Sequence, residues 1–124
     1  MMRKLFWIIG MILIVVLSAC GKDNEGYKDI SPDEAKELID NKEVIVLDVR
    51  TPEEFQEGHI PNATLLPLQE LEQRLKELDK DESYLVVCRS GNRSAQASDI
   101  LMNNGFTSIY NMTSGMSGWT YEVE

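Results

Sequence analysis

Apolar residues in this chain fall into two patterns, short continuous runs and longer segments in which they recur every three or four positions. Val44-Ile-Val-Leu ahead of Asp48, Ala63 to Leu66, Tyr84-Leu-Val-Val ahead of Cys88, and Thr107 to Asn111 are runs of the first kind. Their length and β-branched content predict buried strands. Ser31-Pro32-Asp33-Glu34 combines an N-cap, a proline suited to the first helical position and a capping-box glutamate. It opens a helix through about Asp40 with Ala35, Leu38 and Ile39 on its buried face. Thr51-Pro52-Glu53-Glu54 repeats the signal for a short helix that carries Phe55 and stops at Gly58. Leu68, Leu71, Leu75 and Leu78 predict one helix over Leu68–Leu78 with a leucine face turned to the core. Ala97, Ile100 and Leu101 predict another from about Arg93 to Asn103, with Asn104-Gly105 as its stop. A Gly- and Ser-rich turn, Thr113 to Trp119, closes the chain. Strands alternating with helices define an α/β fold with a mainly parallel central sheet flanked by helices. Such sheets place ligands at the carboxyl ends of strands, where both Cys88 and Asp48 fall.

The amino end follows other rules. Arg3-Lys4 precedes an apolar run from Leu5 to Leu17, thirteen residues long. As a helix this run would span roughly 20 Å at ~1.5 Å per residue, short of the ~30 Å hydrocarbon core. It fits the apolar region of a signal peptide better than a membrane span. Leu17-Ser18-Ala19-Cys20-Gly21 then resembles a bacterial lipobox, which implies cleavage before Cys20 and lipid on that cysteine. An uncleaved anchor and an ordinary secretory signal are the alternatives. The expected organisation is a signal peptide over 1–19, a lipidated polar tether over 20–29 and one domain over 30–124. That places the domain outside the cytoplasm, anchored by lipid to a bacterial membrane.

Charge narrows the partners. The full chain of 124 residues carries a formal charge of −9. Without Arg3 and Lys4 it has ten basic against 21 acidic residues, or −11. Such a surface argues against nucleic acid and against electrostatic docking on anionic lipid. The loop Cys88-Arg-Ser-Gly-Asn-Arg93-Ser94 is a basic exception. A cysteine that leaves a strand and faces a helix N-terminus sits among unpaired N–H groups and the positive end of the helix dipole. Both favour the reactive thiolate. With Arg89 and Arg93 nearby, the loop reads as an anion cradle with a nucleophile at its base. If Cys20 is lipidated, Cys88 has no partner for a disulfide within the chain. A metal site is not expected, because His59 is the only other soft or imidazole ligand candidate.

Four features together resemble the single-domain rhodaneses, a sulfurtransferase family. They are Asp48-Val-Arg50 after a buried strand, Glu54-Phe55 with Gly58-His59-Ile60-Pro61-Asn62-Ala63, the loop from Cys88 to Ser94, and Gly115-Met-Ser-Gly-Trp119. Asn62 departs from the family's usual glycine at a turn that Asn also tolerates. The resemblance implies a rhodanese-like three-layer sandwich, with no cofactor. It also implies that Cys88 takes sulfur from a small anionic donor such as thiosulfate and passes it, as a persulfide, to a thiol or cyanide. The amides of Arg89, Ser90, Gly91, Asn92 and Arg93 would stabilise the anions, with Arg89 contacting the donor. Arg93 would lock the loop or orient a substrate, and Ser94 would donate to the site or cap the helix.

Asp48, Arg50 and His59 read as supports. Arg50 could pair with Glu53 or Glu54, Asp48 could accept from loop backbone, and His59 could instead serve as a base for Cys88. Trp119 reads as a closing plug that could also border the mouth. Cysteine-dependent phosphatases and arsenate reductases place five residues between Cys and Arg. Here four separate Cys88 from Arg93, which suits sulfur better than a phosphoryl group. A non-turnover sulfur carrier or redox-partner module would need the same loop, and a monomer is the expected state. Each version requires a thiol that is ionised and open to solvent.

Overall fold

The computed structural model describes residues 26–124; the signal-peptide, lipobox and Cys20 expectations lie outside them. Five strands, β1 (Lys28–Ile30), β2 (Ile45–Asp48), β3 (Thr64–Leu65), β4 (Tyr84–Val87) and β5 (Ile109–Met112), form one sheet in the order β1-β5-β4-β2-β3. Every pairing is parallel. The helices are α1 (Pro32–Asp40), α2 (Pro52–Glu57), α3 (Leu68–Leu71) and α4 (Asn92–Asn103), with 3₁₀ segments at Glu72–Glu77 and Gly115–Gly118.

Both faces of the sheet are covered, which is why its strands are continuously apolar rather than alternating. Leu47, Val86 and Ile109 face a cluster completed by Leu71, Ala97, Leu101 and Phe106 from the α3–α4 side. Val46, Leu85, Val87 and Met112 face the other, with Ala35 of α1, Ile60 and the partly buried Trp119. The result is the three-layer α/β arrangement. Both capping boxes form, Ser31 with Glu34 and Thr51 with Glu54. Asn62 occupies the turn at φ 68°, a left-handed conformation that Asn tolerates.

Three expectations need correction. Strand β1 begins at Lys28, so Lys28 and Asp29 belong to the sheet and not to a tether ending at 29. The segment carries no long apolar run because it is a three-residue edge strand, recognisable only through its partner β5. The leucine-faced helix is broken: α3 ends at Leu71 and a 3₁₀ segment follows, with Arg74 non-helical at φ −119°. Arg74 is held there by Glu70 on one side and Glu77 on the other. The tighter winding still turns Leu75 and Leu78 toward the core, where they pack partly buried against it. Ser94 does not cap α4; Gly91 is its N-cap.

Leu71 has no exposed surface whereas Leu75 is only partly buried. Leu71→Ala should therefore cost about 2–5 kcal/mol of stability and Leu75→Ala clearly less. Denaturant midpoints of the two variants check this, since a continuous helix burying both leucines would make the losses equal.

Candidate active site

Strand β4 delivers Cys88 one residue beyond its last paired position, at the carboxyl edge of the sheet. The backbone then reverses through Arg89, Ser90 and Gly91 before α4 begins. Gly91 sits at φ 101°, and a Cβ there would lie 2.4 Å from the Thr113 carbonyl oxygen. Both the torsion and the contact require glycine. The reversal aims main-chain donors at the sulfur. The Gly91 N–H reaches Sγ at 3.0 Å, and the Ser94 hydroxyl lies 3.3 Å away.

The closing 3₁₀ turn also holds the loop's carbonyls. The Met116 N–H donates to the Cys88 carbonyl at 2.8 Å and the Ser117 N–H to the Arg89 carbonyl at 2.9 Å. Gly115, at φ 57°, permits this approach, since a Cβ would stand 2.5 Å from the Cys88 oxygen.

These contacts set the thiol's acidity. Burial is the largest single influence and raises its pKa. The Ser94 hydroxyl and the amides of Ser94, Gly91 and Ser90 together outweigh burial, leaving the pKa below the ordinary 9.0. Hydrogen bonds that favour the charged form act in this direction.

The expectation of an open thiol is not met in this conformation. Cys88 is 0% exposed. The loop that supplies its hydrogen bonds also covers it. The adjoining cavity, ≈ 340 Å³, is lined by Arg50, Glu54, Glu57, Arg89, Met116 and Ser117, not by the sulfur itself.

The arginines are not the uniform basic cradle the sequence suggests. Arg50 pairs with Asp48 rather than with Glu53 or Glu54, through Nε to Oδ1 at 3.0 Å and a terminal nitrogen to Oδ2 at 2.8 Å. It also donates to the Gly58 carbonyl at 2.8 Å. Asp48 accepts the Arg50 main-chain N–H as well, and both residues are buried. This pair braces the end of β2 against the segment after α2.

Arg93 forms a two-pronged pair with Glu54 at 2.7 and 2.8 Å, and so locks the first turn of α4 to α2. The pair holds the Glu54 carboxyl down to about 2. Arg89 makes no ion pair among the described residues, and it is exposed, as are Ser90 and Asn92. His59 stacks on Phe55 at 3.7 Å, donates from Nδ1 to the Phe55 carbonyl at 2.9 Å and approaches the Glu124 carboxylate. Both ring nitrogens thus face partners within the fold. Trp119 packs into the core and donates to the Glu122 carbonyl, so Met116 and Ser117 take the place at the mouth. Sequence reading missed Glu57, whose helix-end position carries no signal of its own. Among the described residues no group of acidic, His or Cys side chains assembles a metal site.

Fold and loop together define a cysteine-centred α/β domain with that cysteine facing a helix N-terminus on the carboxyl edge of a parallel sheet. The rhodanese-like domain family matches residues 31–122, and the chain belongs to it. It is 38% identical over 85 residues to a sulfurtransferase of Allochromatium vinosum, covering 68% of this chain and 79% of that one. It is 36% identical over 97 residues to YrkF of Bacillus subtilis (strain 168), whose name describes a sulfur carrier. That match takes in 77% of this chain and 52% of YrkF, so the chain spans about half the length of that relative. The crystal structure of a rhodanese-like domain protein from Staphylococcus aureus superposes with a TM-score of 0.72 at 39% identity, over 78% of this chain and 96% of that one.

Two outcomes follow from the site's hydrogen bonds. The alkylation rate of Cys88 should rise with pH through an inflection below 9.0, and Ser94→Ala should move that inflection upward. An unchanged inflection would remove Ser94 from the thiolate's support. The folded-state pKa of Glu54, about 2, lies below its ordinary 4.5, so the pair's stabilisation is complete above 4.5 and lost as pH falls through about 2. The stability gap between the native chain and Glu54→Gln should narrow over that window in acid-unfolding curves.

Proposed function

We propose that the chain is an extracytoplasmic sulfurtransferase that carries sulfane sulfur on Cys88, with the domain tethered to the membrane by lipid on Cys20. The observation that carries the chemistry is the inward turn of loop amides onto Sγ. They stabilise a thiolate before the reaction and a persulfide anion after it. The thiolate attacks the outer sulfur of a donor such as thiosulfate. The donor's S–S bond breaks, sulfite leaves with that electron pair, and Cys88 holds the transferred sulfur. A thiolate or cyanide then attacks the outer sulfur and releases Cys88 as thiolate. The names borne by relatives, a sulfurtransferase and a sulfur carrier, support this class of chemistry.

The covered thiol adds a requirement. A donor reaches Sγ only after the loop side chains part, a local opening of the kind that gates many sites. In this reading Arg89, next to Cys88 in the chain and lining the cavity, draws an anion into that opening. The Cys20 anchor rests on the Leu17–Gly21 lipobox-like stretch after the apolar run, and radiolabelled lipid incorporation lost in Cys20→Ala is its direct assay.

Incubation with thiosulfate should add about 32 Da to the protein, and Cys88→Ala should abolish the adduct. Cyanide should then discharge it with turnover. A native protein whose Cys88 resists both small alkylating agents and every sulfur donor would sink the proposal. A stable adduct without discharge would make the domain a carrier.

A further inference from the structure

The mouth beside Cys88 carries a charge pattern that a simple anion site would not have. Its lining holds two arginines and two glutamates. Arg50 is already bound to Asp48, and Glu54 to Arg93. The remaining pair, Arg89 and Glu57, is different. Both side chains are exposed, both face the same ≈ 340 Å³ cavity, and neither makes an ion pair with the other or with any other described residue. Met116 and Ser117 complete the lining. A dianion such as thiosulfate entering here would meet one uncommitted cation and one uncommitted carboxylate. The carboxylate opposes it. A ligand bearing both an ammonium and a carboxylate group would satisfy both walls. The volume lies near the lower end of the ~300–1,000 Å³ typical of small-molecule sites, so the ligand is small.

Resting on the sulfurtransferase reading above, we propose that the donor class of this site is a low-molecular-weight zwitterionic persulfide, of the cysteine persulfide kind. Glu57 receives its ammonium group and Arg89 its carboxylate. Glu57 is thus a specificity-determining residue that selects for the amine and against dianions.

The transfer balances without an outside oxidant or reductant. The Cys88 thiolate attacks the outer sulfur of R–S–SH, and a bond forms between Sγ and that sulfur. The donor's S–S bond breaks and its electron pair stays on the inner sulfur. The proton of the donor persulfide passes to that sulfur, giving R–SH and a Cys88 persulfide anion. Electrostatic selection at an exposed mouth acts on capture and is weakened by salt.

The test compares single-turnover persulfidation of Cys88, followed by mass spectrometry, for three donors: cysteine persulfide, the persulfide of 3-mercaptopropionate, which lacks the amine, and thiosulfate. The native protein should react with cysteine persulfide up to about fivefold faster than with the amine-free analogue, an exposed ion pair being worth at most roughly 1 kcal/mol. Glu57→Gln should erase that preference, leave the analogue's rate equal or higher and accelerate thiosulfate. Arg89→Gln should slow both carboxylate-bearing donors. Equal slowing of all three donors in Glu57→Gln would make the residue structural and overturn the assignment, as would an unchanged preference. Failure of the native protein to accept sulfur from any of the three would refute the sulfurtransferase reading instead.

Discussion

A loop can point its amides at one atom only if its carbonyls are held elsewhere. In this domain that constraint is met by two hydrogen bonds, from the Met116 and Ser117 amides to the carbonyls of Cys88 and Arg89. With those oxygens fixed outward, the Gly91 N–H and the Ser94 side chain are left facing Sγ. The closing turn is thus part of the candidate site although it makes no hydrogen bond of its own to the sulfur. Gly91 and Gly115 sit where the loop and the closing segment pass backbone against backbone.

Most of the layout was legible in the sequence because local signals agreed with one another. The two Ser/Thr-Pro-x-Glu helix starts, the apolar runs and the cysteine at a strand end each name an element that is present. What escaped was set by distant partners. Strand β1 is recognisable only from its pairing with β5, and the break after Leu71 depends on a surface network around Arg74 that the leucine spacing does not record. Within the site, the cysteine and its amide donors were readable from one contiguous stretch. The allocation of arginines was not. Arg50 and Arg93 pair with Asp48 and Glu54, contacts whose geometry follows from how β2, α2 and α4 meet. The covering of the thiol was also invisible, since a residue at a strand end can face solvent or its own loop with the same sequence.

This allocation alters the electrostatic picture of the domain. Of the three arginines around the cysteine, only Arg89 is left without an ion pair among the described residues. The other two are held in rigid pairs, one buried with Asp48 and one joining α2 to α4, while the hydrogen-bonding groups around the sulfur bring its pKa down. Dipoles at hydrogen-bond distance are insensitive to salt in a way that surface cations are not. The thiolate is therefore stabilised locally, whatever the charge of the rest of the surface.

The strand order has a consequence for synthesis. Ile30 pairs with Met112, and the Thr113 amide also donates to the Ile30 carbonyl, so the first strand must await the last. With translation at roughly 5–20 residues per second, several seconds separate the emergence of the two. Until then the leading edge of the domain has no partner to zip onto. The first strand of a chain built this way stays unpaired until almost all of the chain has left the ribosome.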